Sequence, residues 1–258
     1  MRPLEGRTAL VTAASSGLGR ATARRLAADG AQVFISGTDE ERLAEAAEEV
    51  GAAGQMVSDF TEPAGADALA EAAVTALGRV DILVSNTGGP RPGAFLDLDD
   101  EDWERAYRMV LDSAIRLTRR VLPGMVDGRW GRLLYFTSSG VVRPLPTMHL
   151  SNVMRAAVQA LAQSLVTEVG PHGVTTHVLA PAHVDTDRRR RMTEHRAELR
   201  GVPVDVVNAQ ELATVSAGRF GTAEDMAELV AFLCTDKTDY LTGQTHRVDG
   251  GFTYAIPI

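Results

Sequence analysis

Cysteine is nearly missing from this chain: Cys234 stands alone among 258 residues. No intramolecular disulfide can staple the fold, and a reducing, cytoplasmic setting is expected. Long hydrophobic runs are missing too. None reaches the roughly 20 residues that a membrane-spanning helix needs, and the opening stretch MRPLEGRTALVTAA lacks the long apolar region of a signal peptide. Positive charge is in deficit, with a formal net charge of -8 at pH 7, which argues against a general nucleic-acid binder. No metal site is expected. A small-molecule substrate is expected, with no nucleic-acid or membrane partner. With 45% hydrophobic residues, a chain of this length can bury a sizeable core in one domain without staples.

What is present is alternation. Thr8 to Ala13 is a short apolar run ending in the turn SSGLG, and ATARRLAADG follows with helical spacing and Gly30 as a stop. AQVFISG, QMVSDF, VDILVSNTGG, RWGRLLYFTSS and GVTTHVLAP read as further strands. DEERLAEAAEEVGA, ADALAEAAVTALG, one long segment from Asp99 to Met125, and Asn152 to Val169 read as helices between them. Continuous apolar strands fit a parallel sheet covered on both faces. The pattern predicts an α/β fold: a single-domain, Rossmann-type doubly wound parallel sheet spanning 1–258, with ligands at the carboxyl ends of its strands. Alternation pauses at about 182–216, a charged insertion expected to be helical and to serve as a substrate lid. DMAELVAFLCT and QTHRVDGGF then supply a last helix and strand.

The turn after the first strand, Thr12-Ala13-Ala14-Ser15-Ser16-Gly17-Leu18-Gly19, leads into a helix N-terminus. Free backbone amides and the helix dipole make such a turn an anion site, and small residues let a pyrophosphate approach closely. Here the chain resembles the short-chain dehydrogenase/reductase family over nearly its whole length, and in particular its 3-oxoacyl-carrier-protein-reductase-like branch. The turn matches TGxxxGxG with Ala13 at the first glycine position, and Ser85-Asn86-Thr87-Gly88 stands for NNAG. Asp59 stands for the acid that meets adenine, Pro181 for the PG turn, and Val248-Asp249-Gly250-Gly251 for the C-terminal signature.

The resemblance implies a nicotinamide dinucleotide. Its site would be formed by Ala13, Ser15, Ser16, Gly17, Leu18, Gly37, Thr38, Asp59, Phe60, Asn86, Thr87, Gly88, Arg155, Pro181, Val184 and Thr186. An Asp at position 37 would favour NAD and an Arg at position 38 would favour NADP. The chain has Gly37 and Thr38, and the missing acid, with Ser36 and Thr38 as donors, tilts the expectation to NADP(H) over NAD(H). A homodimer or homotetramer is implied as well, with the helix around Asp99 to Met125 and the helix after Ser151 as the usual dimer surface.

The catalytic positions depart from the family. In register, Ser138 keeps the serine, Ser151 replaces the tyrosine, Arg155 the lysine and Val110 the asparagine. A serine hydroxyl is far less acidic than a phenol, whose pKa is about 10, and an arginine does not release its proton. The usual proton relay is therefore missing. His149, two residues before Ser151, is a candidate proton carrier, or simply a loop histidine; His183 stands in the same position. Ser151 also reads as an N-cap for NVMRAAV. The run Arg188 to Arg191 is a solvated helix face or an anion-binding lid for a phosphate- or carboxylate-bearing substrate. Thr87 to Gly93 is stiff enough to shape the substrate pocket, and Trp103 and Trp130 read as packing residues. Arg129 falls where reductases of carrier-protein thioesters dock their partner, with His172 in place of a second basic residue. Three readings remain: an NADP(H)-dependent carbonyl/alcohol oxidoreductase with an altered relay built on Ser138, Ser151, Arg155 and His149; a lyase, dehydratase or isomerase on the same scaffold; or a dinucleotide-binding protein without catalysis.

Overall fold

The computed structural model describes residues 2–62 and 64–254. Seven strands form one parallel sheet: β1 (Thr8–Val11), β2 (Gln32–Gly37), β3 (Gly54–Val57), β4 (Ile82–Ser85), β5 (Gly131–Phe136), β6 (Val174–Pro181) and β7 (Gln244–Val248). Their order is β3-β2-β1-β4-β5-β6-β7. The order reverses between β1 and β4, and ligands of open α/β sheets bind outside the carboxyl ends at such a point. Every residue of β1, β4 and β5 is buried, which explains why these strands read as unbroken apolar runs rather than alternating ones.

Helices cover both faces. On one face, α1 (Gly17–Ala28), α2 (Glu40–Val50) and α9 (Ala223–Leu233) pack Leu26, Leu43 and Val230 against Val11, Ile35 and Leu134. On the other, α3 (Gly65–Leu77), α5 (Ser113–Asp127) and α6 (His149–Val169) pack Leu69, Leu117 and Val158 against Leu10, Leu83 and Leu133. The expected insertion is α7 (Asp187–Arg200) followed by α8 (Val204–Leu212).

Three boundaries differ from the sequence reading. The segment Asp99 to Met125 is not one helix: α4 (Asp100–Ala106) passes through a π-helical turn, Tyr107–Asp112, into α5. Such a wide turn adds a residue without breaking the helix, so the apolar pattern alone cannot reveal it. The third strand stops at Val57, leaving Ser58 to Phe60 irregular, with Ser58 Oγ donating to Gly65 O at 3.0 Å. The helix predicted from Asn152 begins at His149, so Ser151 lies within its first turn and Met148 holds the cap position.

At the β6–β7 edge His177 Nδ1 and His246 Nε2 lie 3.1 Å apart. Burial, then the neighbouring His246 and Arg132, pulls the His177 pKa down to about 4. An unfolded histidine takes a proton near 6.5, so below that pH the unfolded chain binds the proton that the folded chain refuses. Stability is therefore expected to fall as pH drops from about 6.5 to about 4. Urea midpoints at pH 7 and pH 5 should show this slope, and His177→Phe should flatten it. An unchanged slope in the variant would assign the acid sensitivity to other groups. Trp130 packs between Arg7 and Arg132, whose guanidinium carbons lie 3.7 and 4.1 Å from its ring centre. Trp103 packs edge-on against Phe95.

Candidate active site

The carboxyl ends of β1, β2, β4, β5 and β6 open into two adjoining cavities of about 550 and 560 Å³. The first is a groove over the glycine turn. Ala13, Ser15, Ser16, Gly17, Leu18, Gly37, Thr38, Asp59, Phe60, Asn86, Thr87 and Gly88 all line it, as does Thr186. The second cavity is lined by Ser138, Ser151, Arg155, Pro181 and Val184, and shares Leu18, Asn86, Thr87 and Thr186 with the groove. All the predicted positions are therefore brought together except one. The His149 ring packs edge-on against Phe95 with centres 5.9 Å apart and lines neither cavity. The other histidine, His183, lines the second cavity beside Phe252. Burial lowers its pKa, with Glu211 opposing, so it is neutral near pH 7.

The groove fits a dinucleotide. Ser16 caps α1 without a side-chain bond, and the first turn carries no acid, so its amides and dipole are left for an anion. Ala13, at the first glycine position of the family pattern, sits at φ +48. This is the left-handed region that favours glycine. Gly19 allows α1 to close on the turn: a Cβ there would run into the Ala13 carbonyl and stand 2.9 Å from Ala14 Cα. Since backbone cannot swing aside, Gly19→Ala is expected to cost about 3 kcal/mol of stability and to abolish dinucleotide binding, measurable by urea unfolding and ligand titration. Asn86 locks β4 to this turn, its backbone N–H donating to Thr12 Oγ1 at 2.8 Å and Thr12 Oγ1 donating to the Asn86 backbone O at 2.6 Å.

At the end of β2, Gly37 is held tight, because a Cβ there would lie 2.9 Å from the Cβ and Oγ of Ser15. No carboxylate faces the ribose position from this residue. Arg42, one turn into α2, lines the groove instead and reaches Asp187 of α7 at 3.0 Å. Arg42 lies beyond positions 37 and 38, and its sequence neighbours do not show that it reaches this groove.

In the second cavity Arg155 is the organising group. Its Nε donates to Ser151 Oγ at 3.2 Å, Nη1 to Phe136 O at 2.9 Å and Nη2 to Gly88 O at 3.0 Å. One side chain thus joins α6, the end of β5 and the loop after β4. Ser151 Oγ accepts from Arg155, so its own hydrogen is free to point elsewhere. Ser138 Oγ accepts from Gly140 N at 3.1 Å and is free in the same sense. Arg155 is buried, and all three of its acceptors are neutral. Burial, and then the Arg188 charge, lowers its pKa to about 10. Val110 is buried in the π-helical turn and lines neither cavity. The chain's only lysine, Lys237, lies in a short helical turn after α9.

The arginine run divides by direction. Arg190 pairs with Asp185, while Arg189 bonds Asp185, Asn208 and Glu211 and lies over the Phe220 ring. Arg191 faces the groove, and Arg188 lines both cavities, with Nη1 3.4 Å from Gly89 O. Arg129, outside both cavities, donates to Pro171 O at 3.2 Å. No group of three or more metal-binding side chains occurs among the described residues.

A family model described as "Enoyl-(Acyl carrier protein) reductase" matches residues 12–253. The 3-oxoacyl-[acyl-carrier-protein] reductase FabG of Escherichia coli is 35% identical over 250 residues, covering 96% of this chain and 97% of that protein. Among solved structures, a single-substitution variant of actinorhodin polyketide ketoreductase with NADPH superposes with a TM-score of 0.92 at 29% identity, covering 99% of this chain and all of the other. An L-sorbose reductase from Gluconobacter frateurii, complexed with NADPH and L-sorbose, gives 0.91 at 27% identity over 99% and 100% of the two chains.

Proposed function

Because the chain belongs to the short-chain dehydrogenase/reductase family, we propose that it is an oxidoreductase using NADP(H) on a small carbonyl compound or alcohol, with a relay of its own. The observation that carries this reading is the continuity of the site: the dinucleotide groove opens directly into a cavity where two serine hydroxyls and a buried guanidinium converge. NADP(H), when bound, supplies or accepts the hydride. In reduction the hydride adds to the carbonyl carbon, and the π pair moves onto the oxygen. Ser138 and Ser151 donate their free hydrogens to that oxygen, and Arg155 stabilises its developing negative charge through Ser151. The proton that completes the alcohol passes from Ser151 Oγ and is returned from solvent, since neither phenol nor ammonium stands here.

The preference for NADP(H) rests on Gly37, on Ser36 and Thr38 beside it, and on Arg42 and Arg191 along the groove. Arg42→Ala is expected to weaken NADPH about tenfold and leave NADH within threefold, as the loss of one charged phosphate contact predicts. Titrating NADPH and NADH against the full chain by fluorescence tests both statements. Micromolar NADPH with much weaker NADH supports the reading; the absence of any dinucleotide binding overturns it. A homodimer or homotetramer accords with Tyr107 and Val153, which are exposed on the π-helical turn and α6. A cytoplasmic setting accords with the buried, unpaired Cys234. No described helix is long and apolar enough to cross a membrane.

A further inference from the structure

The wall of the second cavity carries a charge pattern that hydride transfer alone does not explain. Five residues of α7 line it: Arg189, whose partners are given above, and a row spaced four apart, Arg188, Met192, Arg196 and Arg200. That spacing sets each beside the next in a stripe that winds along the helix. Arg155 adds a cation from the cavity floor, and the one acid on the lining is Glu211. Glu211 is already engaged by Arg189 and Arg196. Arg188 has Gly89 O as its acceptor, and no ion pair to Arg155, Arg188 or Arg200 forms among the described residues. Arg188 as a whole keeps more than a third of its surface in solvent. Its guanidinium nevertheless lies deep enough that burial, and then Arg191, lowers its pKa. A chain of net charge -8 thus concentrates unpaired cations on the wall of one cavity. The lining also has an apolar part: Leu145, Pro146, Met148, Val207 and Phe252.

From this juxtaposition we propose that the substrate is an anionic carbonyl compound whose carboxylate or phosphate is held by the Arg188–Arg200 face of α7. Its carbonyl reaches Ser138 and Ser151, and its apolar body lies against the apolar part of the lining. The inference rests on the redox reading above for the position of the carbonyl. An anion on this face relieves the repulsion between Arg188 and Arg155 and forms charge-assisted hydrogen bonds with the stripe. A neutral analogue gains neither. The positive cavity in a negative molecule also draws anions inward, an attraction that salt weakens.

The test uses 4-oxopentanoate and its methyl ester as probes, titrated calorimetrically into the full chain saturated with NADPH. The acid is expected to bind at least tenfold more tightly than the ester, a difference of about 1.4 kcal/mol. In the double variant Arg188→Gln/Arg200→Gln, which empties both ends of the row, that preference should fall below about threefold. Equal affinity for acid and ester, a preference that survives both substitutions, or no saturable binding of either probe up to about 10 mM would overturn the proposal. Expulsion of the acid by NADPH would also overturn it, because the arginines would then serve the cofactor's phosphates. Should NADPH itself not bind, the redox reading fails separately, and the same acid–ester comparison on the cofactor-free chain still decides whether the arginine face selects an anion.

Discussion

Replacing Ser151 by Tyr and Arg155 by Lys together is expected to raise the rate of carbonyl reduction about 10²- to 10⁴-fold, the range that a well-placed general acid supplies. The double variant Ser151→Tyr/Arg155→Lys puts a phenol of pKa about 10 on the cavity wall and an ammonium one helical turn behind it. The cavity of about 560 Å³ has room for the ring. Each single change should do worse than the native chain. Arg155→Lys alone gives up the fork that reaches both Phe136 O and Gly88 O, and leaving a buried carbonyl unpaired costs about 1–3 kcal/mol. Ser151→Tyr alone removes the acceptor of Arg155 Nε and leaves the phenol beside a cation that holds its proton firmly. The measurement is kcat/KM for NADPH-dependent reduction across a carbonyl panel, with urea midpoints to separate folding from chemistry. A folded double variant no faster than the native chain would mean that positions 151 and 155 do not face the reacting carbonyl.

The second large effect concerns the cofactor. Gly37→Asp is expected to lower NADPH affinity about 100-fold, roughly 2.7 kcal/mol, while NADH loses only the share that crowding of the turn costs. Two causes add. A Cβ at residue 37 would stand 2.9 Å from Ser15 Cβ and Oγ, so the glycine turn must yield before any larger side chain fits. The carboxylate would then stand near a doubly charged phosphate, and at about 4 Å even an effective dielectric constant of 20 gives roughly 4 kcal/mol of repulsion per charge pair before salt screening. Gly37→Ala separates the two, since it keeps the crowding and omits the charge. If the alanine variant loses as much NADPH affinity as the aspartate variant, crowding alone accounts for the loss, and charge repulsion has no part in it.

The alternation of strands and helices was legible because each buried strand reads as an apolar block and each helix as an amphipathic one. The glycine turn was legible because its residue types are dictated by close backbone approach. Other features depend on partners distant in sequence. Ser151 fits an N-cap by local pattern, yet α6 starts two residues earlier and the hydroxyl meets Arg155 instead. His149 is chemically suited to proton transfer, but nothing local shows that Phe95 holds its ring. The Arg188–Arg191 run looks uniform in sequence. Only the pairing of Arg189 and Arg190 with Asp185 separates them from Arg188 and Arg191. Arg42 escaped notice because the groove it lines is closed by a helix whose Asp187 lies 145 residues later.

Arg155 has one more consequence, for the compounds the cavity can tolerate. An amine in a carbonyl-binding pocket can condense with an aldehyde or ketone to a Schiff base. A protonated guanidinium tied to Phe136 O, Gly88 O and Ser151 Oγ presents no such nucleophile, and Lys237 stands outside both cavities. Schiff-base capture of a simple aldehyde therefore has no lysine to run through among the residues that line the cavities. The site's chemical vulnerability lies instead with vicinal dicarbonyl reagents, which attack arginine.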